Sequence, residues 1–463
     1  MNYNYFNFKD YKGQYLITND LGRFAFLNPS EFQNLMRKQL DLISPKGKEL
    51  QEKGFIYDGD ALGYTQSTLY PLRDVKNYVA ASTSLHIFVV TTACNLKCVY
   101  CQANKGADHE SLFMTEEIAQ RAVDIALQSP TKQLTFEFQG GEPLLNFDVI
   151  RFIVEYSEEH KEDHLIDYTL VSNLTALTQD VIDFIGKYQI SVSASIDGPQ
   201  MLHDKNRPSR NGNSSFIGAA SGVKRLREAG IPVGAIETTT RDSLSYPKDI
   251  VHTYADMGFN SIFIRPLTPL GKAGKAWEQI GYTSEEFIEF YKEALEECLR
   301  INDDSRFFSE NHATIFLKRI FGETVNYMEL RSPCGAGFGQ LAYYSDGNIF
   351  TCDEARMVYE MGSDAFLLGN VWEFKYGDLM KSSVCRTVCK ASMLETIPGC
   401  SDCVYQPYCG TCPVISYANT GDVLEKAPRN YRCKIYMGML DCLFEILQKN
   451  DKDTVRVLRS WSN

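Results

Sequence analysis

Cys94-Asn95-Leu96-Lys97-Cys98-Val99-Tyr100-Cys101 follows directly on the apolar run from Leu85 to Val90, and no other stretch limits the possible folds as strongly. A strand ending at Thr91 or Thr92 delivers three thiolates into one loop. Three thiolates hold three irons of a 4Fe-4S cluster and leave the fourth open, and an open iron is a place for chemistry. Ferredoxin-type runs use C-x2-C-x2-C with a fourth Cys from elsewhere, so the C-x3-C-x2-C spacing describes a different loop. A zinc knuckle is the competing reading of the same residues.

The remaining cysteines sharpen this. Thirteen of the 14 fall either at 94 to 101 or after residue 333, which predicts two metal regions separated by a metal-free scaffold. Disulfides are disfavoured because the chain reads as cytoplasmic, where thiols stay reduced. Its start, MNYNYFNFKDYKGQ, lacks a signal-peptide apolar region, and no apolar run reaches the length of about 18 residues that a membrane span needs. A net charge of -12 argues against a nucleic-acid partner, which selects for a basic stripe.

With 463 residues the chain has room for several domains. In residues 1–80, Tyr15 to Thr18 and Arg23 to Leu27 flank Asn19-Asp20-Leu21-Gly22 as a β-hairpin, and helices are expected from Pro29 to about Leu40 and from Gly47 to Lys53. Residues 81–300 alternate strand and helix. Strands are expected at Leu85 to Thr91, Leu134 to Phe138, Tyr168 to Ser172, Ile190 to Ser195, Val233 to Thr238 and Ser261 to Ile264. Helices fit between them, the first capped by Thr115, the others over Phe147 to Glu155, Gln179 to Tyr188, Ser215 to Glu228 and Tyr246 to Met257. Six such units give an α/β fold, a partial (β/α)6 TIM-like barrel, whose ligands bind at the C-terminal strand ends.

The polar motifs fall at those ends. Gln139-Gly140-Gly141-Glu142-Pro143 follows the second strand: the glycines let backbone approach a ligand closely, and the Glu can accept from an ammonium. Ser172-Asn173 ends the third strand and Ser195 the fourth. Ser195-Ile196-Asp197-Gly198-Pro199 runs on through His203-Asp204 to Arg207, whose fork suits a carboxylate. Arg265 to Gly271 follows the sixth strand. His86, His160, His252 and His312 show no ligand spacing and are assigned to core or surface.

Residues 301–463 read as a linker and a Cys-rich domain. Gln340 to Tyr344 and Asn348 to Thr351 flank Asp346-Gly347, a tight-turn signal that folds Cys352 back toward Cys334. Cys400-x2-Cys403-x5-Cys409-x2-Cys412 and Cys433 follow. Paired C-x2-C units by themselves fit zinc as well as iron. Cys298 and Cys442, on helical patterns, read as buried core thiols.

The three-Cys loop, with Tyr100 before its last Cys, resembles the signature of the radical SAM superfamily, in which the amino and carboxylate groups of S-adenosylmethionine chelate the open iron. The resemblance implies that Gly140, Gly141, Glu142 and Pro143 bind the methionine amino group, that Ser172, Asn173 and Ser195 meet ribose and carboxylate, and that Arg207 pairs with the cofactor carboxylate. The late cysteines resemble the SPASM extension, which binds two further 4Fe-4S clusters, three in all. By position, Cys400, Cys403, Cys409 and Cys433 would ligate one; Cys334, Cys352 and Cys412 would hold three irons of the other. Cys385 or Cys389 supplies its fourth ligand, or the iron stays open. The opening hairpin and helices look like a winged-helix peptide-recognition element, and Tyr15 to Leu27 is similar to His-Xaa-Ser system maturases.

These resemblances imply a peptide maturase: a 5′-deoxyadenosyl radical takes hydrogen from a side chain of a ribosomally made precursor peptide, and an intramolecular C-C or thioether cross-link forms. A leader-bearing precursor and an electron donor such as flavodoxin or ferredoxin are the implied partners. Sulfatase-maturating oxidation of Ser or Cys, an epimerase using a thiol such as Cys298, Cys385 or Cys389, and a non-catalytic iron-sulfur electron carrier are the alternatives. No catalytic residue is assigned; Asp353 and Glu354, beside Cys352, are the acidic residues to consider as a base.

Overall fold

A computed structural model describes residues 2–57, 59–103, 110–302, 306–323, 325–425 and 430–462. Near its start, β1 (Asn7–Tyr11), β2 (Gln14–Thr18) and β3 (Phe24–Leu27) form an antiparallel sheet in that order, so the expected hairpin gains a third strand. The first helix runs Pro29–Met36, shorter than expected, because Lys38 takes a left-handed φ of 57°. Its capping box is complete: Asn28 accepts from the Glu31 N–H, and Glu31 accepts from the Asn28 N–H. The second helix runs Pro45–Glu52, and a third, Ala61–Val75, was not foreseen.

The parallel strands are β4 (Leu85–Thr91), β5 (Gln133–Gly140), β6 (Leu165–Ser172), β7 (Ser191–Ser195), β8 (Val233–Thr238) and β9 (Ser261–Arg265), each beside the next. In β4 every residue after Leu85 is buried, as an apolar run covered on both faces requires. In β5, Leu134, Phe136 and Phe138 turn to the core while their neighbours stay partly exposed, the period of two that a strand imposes. The connecting helices are capped: Thr115, as expected, accepts from Ile118, and Thr178 accepts from Val181 and Ser214 from Ile217.

The sheet does not stop at residue 300. It adds β10 (Ser309–Glu310) beside β9 and, at the other edge, β11 (Gln340–Tyr343) parallel to β4, followed by antiparallel β12 (Asn348–Phe350) and β13 (Leu367–Asn370), ten strands in all. The expected boundary between barrel and Cys-rich region is therefore bridged by hydrogen-bonded sheet. Residues 303–305 and 324 of the expected linker lie outside the described residues; within it, helix Asn311–Ile320 packs under β9.

The N-terminal sheet packs on the last third of the chain. Phe444, fully buried on helix Tyr431–Lys449, meets Phe24 at 5.3 Å and Tyr408 at 5.6 Å between ring centres. Thr18 donates to the Val404 carbonyl at 2.7 Å, and Tyr408 to the Gly22 carbonyl at 2.9 Å. Phe444→Ala is expected to cost about 3–5 kcal/mol, the range for emptying a buried aromatic site. Urea unfolding reads this; an unchanged midpoint would show that the sheet is seated by other contacts. No helix among the described residues is long and apolar enough to cross a membrane.

Candidate active site

The loop after β4 is fixed by its backbone. Gly141 donates to the Thr91 carbonyl and Glu142 to the Ala93 carbonyl, both at 2.8 Å. A Cβ at Gly140 or Gly141 would stand 2.2 Å from one of those two oxygens, so the close approach admits only glycine. From the other side Lys97 donates to Pro208, Val99 to Asn206, and the Arg210 Nε to the Cys94 carbonyl at 2.7 Å.

Cys94, Cys98 and Cys101 stand together, each within the field of the others. Burial pushes Cys94 up to about 11, Cys98 up to about 12, and Cys101 upward as well. Cations oppose this at each thiol: Arg210 at Cys94, Arg207 at Cys98, and Lys272 and Arg356 at Cys101. Grouped thiols facing cations at strand ends fit an anionic iron-sulfur cluster, whose metal would supply the charge that holds them ionised. No group of three or more His, Cys, Asp or Glu among the described residues converges on one point as a single metal ion requires.

Glu142 is buried and already accepts from Ser172 Oγ at 2.7 Å, the Asn173 N–H at 2.8 Å and the Leu144 N–H at 3.2 Å. Its carboxylate thus pins Ser172 and Asn173, and the Asn173 amide donates on to Asn95 inside the Cys loop at 3.0 Å. Pro143 opens the short helical turn that follows, and Ser195 is half-buried at the end of β7.

Arg207 does reach a carboxylate, but one of the chain. Its Nη2 donates to Asp197 at 3.0 Å, its guanidinium lies 5.3 Å over the Tyr100 ring, and the Tyr100 hydroxyl donates to the other Asp197 oxygen at 2.6 Å. The Arg207 Nε is buried with no partner, a donor left for a ligand. Asp197, read from sequence as part of a turn, is the hub of this network; only its burial reveals that, and burial is not visible in an Asp-Gly-Pro string. Arg265 ends β9 and donates to Glu329 at 2.8 Å; Arg432 pairs with the same carboxylate. The two guanidiniums hold Glu329 well below the usual carboxylate range against the upward push of burial. Glu137, half-buried on β5, faces Asp353 and Arg265. None of Glu137, Glu329 and Arg432 carries a sequence motif.

In the Cys-rich region the Asp346-Gly347 turn closes as expected, with Gly347 donating to Tyr344 at 2.9 Å and Tyr344 to Asn348 at 2.8 Å. Cys334, Cys352 and Cys412 share one apolar cluster; Cys352 and Cys412 precede helices Asp353–Glu360 and Pro413–Thr420. Cys400, Cys403, Cys409 and Cys433 face one another, and Cys400, Cys409, Cys412 and Cys433 line one partly open cavity. The Cys385 thiol instead donates to the Gly337 carbonyl at 3.2 Å, and Cys389 faces Arg331. Cys298 and Cys442 are buried, as core thiols should be.

Residues 88–242 match the family model of the radical SAM superfamily. The chain carries a radical SAM domain. That domain extends to relatives of several kinds. An uncharacterized protein of Methanocaldococcus jannaschii is 34% identical over 186 residues, 40% of this chain and 63% of that protein. The serine-type anaerobic sulfatase-maturating enzyme of Bacteroides thetaiotaomicron is 24% identical over 383 residues, 78% of this chain and 89% of the enzyme. Among solved structures, native anSMEcpe with bound AdoMet superposes with a TM-score of 0.69 at 20% identity, covering 82% of this chain and 99% of that one. Streptococcus suis SuiB bound to S-adenosylmethionine superposes with a TM-score of 0.57 at 14% identity, covering 94% and 100%. A radical SAM domain implies one 4Fe-4S cluster with S-adenosylmethionine, and so an enzyme.

Proposed function

We propose that this radical SAM enzyme oxidises a side chain of a ribosomally made precursor peptide and closes an intramolecular C-C or thioether cross-link. One observation carries the reading: two separate groups of three thiols are accompanied by a set of mutually interacting charges. Cys94, Cys98 and Cys101 are one group; Cys334, Cys352 and Cys412, which would hold three irons of an auxiliary cluster, are the other; Glu137 faces Asp353 and Arg265, Glu329 faces Arg265 and Arg432, and Arg432 faces Cys412. S-adenosylmethionine at the open iron supplies, on one-electron reduction, an oxidant strong enough for unactivated C–H bonds. Joining C–H to X–H releases a hydrogen atom, a proton and an electron. Asp353, held by Arg356 at 2.8 Å, is the base that takes the proton. The Cys334 and Cys400 groups would each hold a 4Fe-4S cluster, which would supply an acceptor for the electron. Gly140 and Gly141 keep the loop close, and Arg207 offers its free Nε to the cofactor carboxylate.

Support for a peptide substrate comes from relatives: SuiB has been solved bound to its precursor peptide SuiA, and anSMEcpe with a Kp18Cys peptide. The sheet of residues 7–27 has edges suited to capture of a leader by strand addition. A flavodoxin or ferredoxin is the proposed reductant. Sulfatase-type oxidation to an aldehyde is the second reading, favoured by the extent of the match to the Bacteroides enzyme.

Anaerobic incubation of the reconstituted enzyme with S-adenosylmethionine, reductant and peptides from neighbouring reading frames tests both. A product two hydrogens lighter that does not react with hydrazine is the expected result; a hydrazine-reactive product selects the sulfatase-type reading, and absence of 5′-deoxyadenosine overturns both. Asp353→Asn is expected to slow product formation about 10²- to 10⁴-fold while 5′-deoxyadenosine still forms. Equal loss of both would remove Asp353 from the role of base.

A further inference from the structure

One cavity brings thiols of both late groups to a single wall: Cys412 from one, and Cys400, Cys409 and Cys433 from the other. Among the described residues that line it there is one cation, Arg432, and one acid, Glu425. Arg432 stands in the first turn of helix Tyr431–Lys449, directly before Cys433, and its side chain is 14% exposed. Asn430 caps that helix by accepting from the Arg432 and Cys433 N–H groups at 2.9 and 3.3 Å, so the backbone that carries the side chain is fixed.

The guanidinium is fixed as well. Its Nε donates to the Tyr436 hydroxyl at 2.9 Å, one turn along the helix, and its Cζ lies 5.4 Å over the centre of that ring. Its Nη2 pairs with one oxygen of Glu329, whose other oxygen accepts from Arg265 at 2.8 Å. The chain Arg265–Glu329–Arg432 therefore runs from the end of β9 to the cavity wall, and it aims Arg432 from the barrel. Because a guanidinium is planar and rigid, two tied nitrogens leave the third no freedom to turn. That third nitrogen, Nη1, is buried and has no partner among the described residues. A buried charged donor without an acceptor is costly, so this one is kept for a group that the cavity receives. Of the four thiols at the wall, Cys412 is the one Arg432 meets most strongly, ahead of the Glu354 carboxylate.

We infer that Arg432 donates through Nη1 to sulfur of the auxiliary cluster that Cys334, Cys352 and Cys412 would hold, and so sets how readily that cluster accepts an electron. This assignment rests on the auxiliary-cluster reading proposed above. A hydrogen bond to sulfur and a nearby positive charge both favour the reduced, more negative form of a cluster. The step served is a one-electron transfer: a carbon radical on the peptide is oxidised as the new bond forms, its electron passes to the cluster, and Arg432 keeps its proton.

The test is an EPR-monitored redox titration of the full chain with Cys94, Cys98 and Cys101 replaced by alanine, so that auxiliary clusters alone contribute signals. In this parent, Cys352→Ser identifies the signal of the Cys334 group by changing its g-values. Arg432→Gln should leave iron and sulfide contents equal to the parent's and make the midpoint potential of that signal more negative. The expected loss in the equilibrium constant for electron uptake is about tenfold, which for one electron is about 59 mV. Arg432→Lys, which keeps the charge without the planar fork, should lie between the two, and the other signal should not move. An unmoved potential in Arg432→Gln overturns the assignment, as does a shift confined to the other signal or shared equally by both. Loss of one cluster's iron in both Arg432 variants would make the residue a structural support and overturns it too. A parent lacking auxiliary iron and sulfide overturns the cluster reading itself, a result distinct from any change at Arg432.

Discussion

Replacing Cys94, Cys98 and Cys101 together with alanine is expected to reduce 5′-deoxyadenosine formation to background while leaving the protein folded. The second half of that statement makes the first decisive. The loop is held by backbone bonds from Gly141, Glu142, Lys97 and Val99 and by Arg210 on the Cys94 carbonyl, none of which uses a thiol. Among the described residues the side-chain bonds lost are weak ones, from the Leu96 N–H to the Cys94 sulfur at 3.5 Å and from the Ala103 backbone to the Cys101 sulfur. Removing three partly buried sulfurs is expected to destabilise by about 0.5–3 kcal/mol, the usual range for point substitutions, without unfolding the loop's anchors. Chromatography of the reaction, iron and sulfide assay, and urea unfolding on one preparation check the outcome. Iron should fall by one cluster's worth, with the unfolding transition still cooperative and its midpoint modestly lowered. Persisting cleavage of S-adenosylmethionine would remove the open-iron reading, and zinc in place of iron would restore the knuckle.

The site itself explains which parts of it could be read without coordinates. β4 was legible because a run buried on both faces must be apolar throughout, and the cap Thr115 because a helix start needs a local acceptor. Both signals are local. The pairing of β11 with β4 is not: Gln340 meets Leu85 across more than half the chain, and four buried residues in Gln340–Tyr343 announce a strand without naming its neighbour. Helix Ala61–Val75 was missed because it buries none of its residues and carries Pro71, so it shows no apolar stripe to find. Cys positions were legible by spacing, yet the charges that gather around Asp197 and Glu329 were not. Glu137, Glu329, Arg432 and Asp197 acquire their roles from burial beside partners distant in sequence.

Arg207 gives the second large effect, and it separates structure from binding. Asp197 is fully buried, and Arg207 is 7% exposed. Arg207→Ala leaves Asp197 with donors from Tyr100 and the Thr238 N–H but with no countercharge, and removing one partner of a buried pair costs about 3–5 kcal/mol. Adding Asp197→Asn removes the stranded charge, so the double variant should recover much of that loss in urea unfolding; additive losses would mean the pair is not coupled. Arg207→Lys keeps the charge and surrenders the fork. Its stability should stay near wild type, whereas its Kd for S-adenosylmethionine, by equilibrium dialysis, should rise about 10- to 100-fold, since a hydrogen bond to a charged group contributes about 1.5–3 kcal/mol. An unchanged Kd would confine Arg207 to holding Asp197 and assign the cofactor carboxylate to another donor. A raised Kd at constant stability would show that the orphaned Nε is aimed at the ligand, because no partner within the described chain competes for it.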